Sequence, residues 1–433
     1  MIDPRSVSGL AKHAFNVRLK LVILFRFMRP LITGELSPAR FILLLRRLLY
    51  FFSRLQSNKF VRIGKQTRVD LYVPFFPTKA FFAACRKFTT FGEKLPCTTA
   101  LISVTSACRF NCSHCYQKMD RGKDVDIGRL VQVAARLQEK GIAFFNIEGG
   151  EPFLVFDRLR RVCAAIDDRS EVWVNSTGDG MTLERLRELK AMNLTAIMFS
   201  LHSPVPDDFN AFLGSERAWA TMLNGVNLCH QAEVPVAFNM CLQGKDFSDG
   251  TFKRLMDKAR ELGAAIVQII KPKPAGGWLR CGVEEFRPQD VMSMKTLVSD
   301  YNTRREYGDF PSISAQMLEE DPSRFGCTAG GTDRFYINAK GDLQPCEFLN
   351  LSFGNIATDD FDTIYDTMRS CFERPGVNWL CEKCAGSVLQ RVTSHDLHSL
   401  PLDPELSREV YGTWDRGSPT ELYDTIENRL SPR

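Results

Sequence analysis

Thr99-Ala100-Leu101-Ile102-Ser103-Val104-Thr105-Ser106-Ala107-Cys108-Arg109-Phe110-Asn111-Cys112-Ser113-His114-Cys115-Tyr116 runs from an apolar stretch straight into three closely spaced thiols. The apolar part, 100–105, reads as a buried strand. Three thiolates on one short loop suit three irons of a cubane cluster, because soft sulfur ligands favour iron–sulfur centres. Only three come locally, which leaves the fourth iron open to a small bidentate ligand and sets this spacing apart from a four-thiolate electron carrier. A structural zinc site is the bland alternative, but such sites usually pair two Cys-x2-Cys units.

Outward from this loop, short apolar runs alternate with helical stretches, the pattern of repeated βα units and a parallel sheet. Strands are predicted at 100–105, 142–147, 171–175, 196–201, 234–241 and 265–270, and helices at 127–140, 156–167, 183–192, 218–231, 251–262 and 291–304. Six such units make an α/β fold, a partial (β/α)6 TIM barrel whose strand-end loops carry the chemistry. The expected organisation is a helical extension over 1–60, a Phe-rich connection over 61–97, the barrel over 98–305, a small α+β domain over 306–390 and a tail over 391–433, packed across that domain or partly mobile.

The 433 residues can bury a large core, and a net charge of +5 is too small at this length to argue for nucleic acid. Seven of the fourteen cysteines fall into two groups with no signal peptide before them, which indicates metal in a reducing, cytoplasmic compartment. Cys85, Cys97, Cys163, Cys229, Cys241, Cys281 and Cys371 lie apart among apolar neighbours and read as buried free thiols. Between Phe15 and Ser53 the bases Arg18, Lys20, Arg26, Arg29, Arg40, Arg46 and Arg47 face the single acid Glu35. No uncharged run there approaches the roughly 20 residues of a spanning helix. Two basic amphipathic helices are expected, which either lie at an anionic membrane surface as a peripheral contact or pack on the protein with their arginines outward. Phe75, Phe76, Phe81, Phe82, Phe88 and Phe91, with Pro74 and Pro77, read as a strand or turn and a short helix. They either line an apolar channel or are core.

Further motifs fall at successive predicted strand ends. Glu148-Gly149-Gly150-Glu151-Pro152 follows the second strand, Asn175-Ser176-Thr177-Gly178 the third, Ser200-Leu201-His202-Ser203 the fourth, and Gln268-Ile269-Ile270-Lys271-Pro272 contains the end of the sixth. The glycines permit close backbone approach to a ligand, and Glu151 offers acceptors to an ammonium. With the Cys-x3-Cys-x2-Cys loop, this series resembles the radical S-adenosylmethionine (SAM) superfamily. The resemblance covers about Thr99 to Gly386. It implies that Cys108, Cys112 and Cys115 hold a [4Fe-4S] cluster whose open iron chelates SAM. Reductive cleavage of SAM to a 5′-deoxyadenosyl radical then starts hydrogen abstraction. The resemblance also implies that Gly149, Gly150 and Glu151 meet the methionyl amino group, and that Asn175 and Ser200 make polar contacts to SAM. His114 and the backbone at Ile270 would lie near adenine, and Tyr116 would also contact the cofactor. His114 stands where an aromatic residue is usual, and His202 where an acid is common.

The second group is Cys327, Cys346 after Gly341, then Cys381 and Cys384. Four thiolates could saturate a second [4Fe-4S] cluster and staple a small domain, with four-thiolate zinc the structural alternative. The set resembles the shortened SPASM domain called twitch, as does a hairpin signal at 338–342. Cys371 is spare and could replace one of the four. The expected partners are a small flavodoxin- or ferredoxin-type electron donor and a substrate. An apolar or membrane-bound lipid substrate is favoured by the basic N-terminus and the phenylalanines, against a ribosomal-peptide maturase as the alternative. A carrier or sensor without turnover is disfavoured, since it needs neither an open iron nor SAM contacts.

Overall fold

The computed structural model describes residues 4–90 and 97–430. Strand β1 (Arg5–Val7), helices α1 (Gly9–Ile32) and α2 (Pro38–Arg54), and strands β2 (Phe60–Ile63) and β3 (Gln66–Arg68) come first, the strands forming an antiparallel ribbon in the order β1-β2-β3. The start of α2 has a local cause: the Ser37 side chain accepts the Arg40 amide, and Pro38 occupies the first turn, where no backbone donor is needed. Phe15, Leu19, Ile23 and Phe27 of α1 and Leu44, Leu48, Phe51 and Phe52 of α2 share one core with Phe76, Phe81, Phe88 and, from the far end of the chain, Leu422, Tyr423 and Ile426. Each such side chain, fully buried, contributes about 1.5–3 kcal/mol of transfer free energy.

After α3 (Lys79–Arg86) the barrel begins. Its elements are β4 (Thr99–Ser103), α4 (Ile127–Glu139), β5 (Phe144–Glu148), α5 (Phe156–Ala164), β6 (Glu171–Ser176), α6 (Leu183–Met192), β7 (Leu194–Ser200), α7 (Pro206–Leu213), α8 (Ala218–Ala232), β8 (Val236–Cys241), α9 (Thr251–Glu261), β9 (Ile266–Ile270), α10 (Pro288–Thr303) and β10 (Ser312–Ala315). There follow α11 (Gln316–Glu319), β11 (Arg334–Ile337), β12 (Leu343–Gln344), α12 (Phe361–Cys371), α13 (Leu380–Lys383), α14 (Ala385–Ser394), α15 (Pro404–Tyr411) and α16 (Glu421–Asp424).

One nine-stranded sheet runs in the order β10-β9-β8-β7-β6-β5-β4-β11-β12. All its neighbours are parallel except the hairpin β11-β12. The sheet stays open, with β10 and β12 at its edges, so the architecture is a partial barrel. The six predicted strands are β4 to β9. Two more parallel strands flank them: β10, whose Ser-Ile-Ser-Ala sequence is not an apolar run, and β11, which also forms the predicted hairpin with β12.

The amino end of this barrel is filled by the segment that precedes it. Val61, Leu71 and Phe75 pack among Phe144, Trp173, Ala196, Met198, Ala237 and Ile266. The buried Arg68 guanidinium pairs with Glu171 at 2.6 Å and lies 4.5 Å from the Trp173 ring centre. Its Nε and Nη2 donate to the Asp70 and Leu71 carbonyls, so all three nitrogens of the buried guanidinium have an acceptor.

The phenylalanines are core. Phe75, Phe76, Phe81 and Phe88 are buried, and Phe91 lies outside the described residues. Phe81 and Phe88 border a packing hollow of about 40 Å³ that shares no residue with the strand-end cavity described below. Of the scattered thiols, Cys85, Cys97, Cys163 and Cys229 are buried, whereas Cys281 is exposed and Cys241 half-buried. Among the described residues no helix is long and apolar enough to cross a membrane.

Candidate functional site

Everything chemical gathers at the carboxyl ends of the parallel strands, where loops are free to vary while the sheet fixes their roots. The loop after β4 carries Cys108, Cys112 and Cys115, the first exposed and the others half-buried. Its stem is pinned by Asp124, which accepts from the Thr105 and Ser106 hydroxyls and the Ser106 amide at 2.6–3.0 Å. Arg158 holds the Val104 carbonyl at 2.7 Å.

Glycines from two other loops close on this stem. A Cβ on Gly150 would stand 2.3 Å from the Ala107 carbonyl oxygen, and one on Gly149, at φ +148°, 2.5 Å from that of Thr105. The tolerance for close approach expected of this pair is thus used against the cysteine loop itself. From beyond β9, Gly277 does the same: its Cβ would meet the Ser113 oxygen at 2.1 Å, and its amide donates to the Cys115 carbonyl at 3.0 Å. Neither Gly276 nor Gly277 was legible as a site residue, although a Gly-Gly pair just after the sixth predicted strand was the available signal.

Burial, followed by the nearness of the other two thiols, pushes the Cys112 thiol up to about 12. Burial also raises Cys115, to about 11. The second group is likewise gathered. Cys381 feels Cys327, Cys346 feels Cys381, and Cys384 feels Cys327, all raised chiefly by burial. Burial raises the half-buried Cys371 thiol too, and the Arg416 guanidinium lies near both it and Cys327. Among the described residues no three Cys, His, Asp or Glu side chains stand close enough to share a single ion.

Beside the first thiol group lies an open cavity of about 170 Å³, lined by His114, Tyr116, Gly149, Gly150, Asn175, Ser200 and Ile270 among others. Seven of the eight predicted SAM-contact residues therefore meet in one place. The eighth, Glu151, does not line it. Its carboxylate is fully buried and already accepts from the Phe153 amide, the Ser176 hydroxyl, and the amide and hydroxyl of Thr177 at 2.5–3.0 Å. With those acceptors used, Glu151 ties the loop after β5 to the loop after β6. Burial raises its pKa to about 7 against those hydrogen bonds.

Glu148, quoted in the same motif but given no role, does face the cavity. The Asn175 amide donates to its Oε2 at 3.0 Å, while Oε1 is buried with no partner. Burial first, then Glu347, raises its pKa to about 8. Asn175 Oδ1 and His114 Nδ1 are also buried without partners. His202 Nδ1 accepts the Cys241 amide at 3.0 Å, and its ring stands 5.0 Å from that of His114. Burial lowers both imidazoles, His114 to about 4, so both are neutral at pH 7. Lys271, Lys273, Trp278 and Phe348 complete the wall, and both lysines pair with Glu382, the neighbour of Cys381, at 2.8 and 3.0 Å.

Three thiols at the mouth of an open parallel barrel, beside a cavity with orphaned buried polar atoms, fit a cluster and an adjoining ligand rich in amino and hydroxyl donors. That layout belongs to cluster-dependent cofactor enzymes. The chain is a member of the radical SAM superfamily: the model of that superfamily matches residues 102–259, and the iron–sulfur cluster-binding SPASM domain matches 327–385. It is accordingly a radical SAM enzyme with a [4Fe-4S] cluster, SAM and an auxiliary iron–sulfur domain. It is similar to the PqqA peptide cyclase of Streptomyces rochei (23% identity, covering 66% of this chain and 79% of the relative). It is also similar to the AdoMet-dependent heme synthase of Nitratidesulfovibrio vulgaris (20%, 62% and 78%). Among solved structures, Streptococcus suis SuiB bound to precursor peptide SuiA has a similar fold (TM-score 0.52, 16% identity, 65% of this chain and 70% of that one).

Proposed function

We propose that this enzyme modifies a peptide. The observation that carries the reading is the character of the cavity wall: Glu148, Asn175, Thr177, His202, Asn239, Lys271 and Lys273 give it polar and charged groups on several sides. An acyl chain in such a cavity would leave the buried acceptors Glu148 Oε1 and Asn175 Oδ1 without donors, whereas a peptide offers amides to both. Similarity to a peptide cyclase along two-thirds of the chain supports the same reading. Burial of the phenylalanines in the N-terminal core removes one of the two reasons for a lipid substrate.

In this reading Cys108, Cys112 and Cys115 hold the SAM-binding cluster, and Cys327, Cys346, Cys381 and Cys384 the auxiliary one. Bound together, the first cluster and SAM supply reductive cleavage and hydrogen abstraction, with the electron delivered by a small flavodoxin- or ferredoxin-type donor. The chain's own residues do the positioning. Gly149, Gly150 and Gly277 hold the thiol loop, Glu151 braces two strand-end loops, and Glu148, Asn175, Ser200 and the Ile270 backbone present acceptors to the cofactor and substrate. The neutral His114 and His202 wall the cavity without adding charge.

The test uses reconstituted enzyme with SAM and dithionite, supplied with either the peptide fraction or the lipid extract of cells grown on deuterated medium. Deuterium is expected in 5′-deoxyadenosine from the peptide fraction, and protease treatment of that fraction should abolish it. Label arriving from the lipid extract, or surviving protease, overturns the peptide reading.

A further inference from the structure

Helix α1 is apolar on two opposite sides, and only one of them is used. Phe15, Leu19, Ile23 and Phe27 recur every fourth residue and are buried in the core. On the opposite side of the helix, Leu10, Val17, Leu21, Phe25, Met28 and Ile32 recur at intervals of seven, four, four, three and four and face outward, Leu10 at 89%, Phe25 at 64% and Ile32 at 77% exposure. A stripe of this length on an outer helix marks an interaction site rather than scattered surface residues. Helix α2 repeats the arrangement: Ile42, exposed at 58%, and Leu49 share a side with Arg46, away from the buried Leu44, Leu48 and Phe52.

The charge around the stripe selects its occupant. Residues 9–54 hold nine lysines and arginines and one acid, Glu35. Arg18 and Arg29 flank the stripe on one side and Lys20 on the other, Arg26 lies farther round toward the buried row, and among the described residues none of these four has a carboxylate partner. The Arg18 and Arg26 guanidinium groups lie toward the protein, 5.6 Å and 5.5 Å from the Phe76 and Phe82 ring centres. Next to this flank an open groove is lined by Arg26, Arg29, Lys79, Arg86 and Arg169, with Glu35 the sole acid on its wall. A second copy of the chain docked through the same face would set bases against bases, which costs association free energy. An anionic surface with an apolar interior satisfies both features, since bases attract its headgroups while large side chains enter the acyl boundary.

We propose that α1, assisted by the exposed side of α2, is a docking surface for the headgroup layer of an anionic phospholipid membrane. The helix lies in the plane of the interface with Leu21, Phe25 and Met28 inserted. The surface is separate from the cavity at the strand ends and holds for a peptide or any other substrate.

Flotation of the full-length enzyme with phosphatidylcholine vesicles, with and without phosphatidylglycerol, tests it. Binding is expected only with phosphatidylglycerol, and should weaken as salt rises. Arg18→Glu with Arg29→Glu should reduce partitioning by at least about fivefold per base. Leu21→Asp with Phe25→Asp should abolish it, with circular dichroism and melting temperature unchanged because these side chains face outward. Equal binding to both vesicle types, or full binding by Leu21→Asp/Phe25→Asp, overturns the proposal. So does a wild-type dimer in light scattering that the same double substitution dissociates, because the stripe would then be covered by a second copy.

Discussion

The amide of Gly277, beyond the sixth barrel strand, donates to the carbonyl of Cys115 at 3.0 Å, so the loop after β9 is stitched to the loop after β4. At that point a Cβ would stand 2.1 Å from the Ser113 oxygen, a separation that forces backbone to move. Gly277→Ala is therefore expected to fold while displacing the thiol loop. Iron and acid-labile sulfide after anaerobic reconstitution should fall by about half, with the far-ultraviolet circular dichroism of wild type.

The auxiliary thiols should behave as a set without Cys371. Cys327→Ala or Cys384→Ala is expected to remove about half of the iron and keep the spectroscopic response of the remaining cluster to SAM. Cys371→Ala should keep the full iron content, because Cys327, Cys346, Cys381 and Cys384 already supply four thiolates.

Much of this site was legible from sequence because it is local. Three thiols on one loop and motifs at the ends of apolar runs can be read in a line, and the strands at 144–148 and 266–270 lie within two residues of their predicted bounds. What escaped is non-local. That Glu151 spends its acceptors on Ser176 and Thr177 depends on two loops meeting across 25 positions, and no spacing announces it. β10 escaped because a Ser-Ile-Ser-Ala strand is held by its parallel neighbour rather than by its own apolarity. The plug built around Arg68 escaped because a buried arginine reads as a surface residue until its partner Glu171 is brought to it.

That plug makes a stability prediction. Arg68→Met leaves the buried Glu171 carboxylate without its countercharge, holding only the Phe75 amide among the described residues, and should cost about 3–5 kcal/mol in chemical denaturation. Arg68→Met with Glu171→Leu should recover part of that loss, because no lone charge is then buried, while the Phe75 amide and the Asp70 and Leu71 carbonyls lose their partners.

Glu148 sets a pH dependence. Burial raises its pKa from 4.5 to about 8, so the folded protein holds this proton more tightly than the unfolded chain. Its contribution favours the fold fully below the unfolded value and is lost as pH rises toward about 8. Glu148→Gln should therefore be more stable than wild type above that pH, by on the order of a few kcal/mol, and melt at a correspondingly higher temperature, while matching wild type in mild acid. Thermal scans of the apoprotein across this range check the sign, which would be reversed if the carboxylate were stabilised in its ionised form.

The central claim is that Cys108, Cys112 and Cys115 hold a cluster that leaves an iron for SAM. Its most direct test is 5′-deoxyadenosine production by anaerobically reconstituted enzyme given dithionite and SAM. The wild type should form it even without substrate, and Cys112→Ala, with its auxiliary cluster intact, should form none. Absence of the nucleoside from fully loaded wild type, or equal yield from Cys112→Ala, would contradict the account.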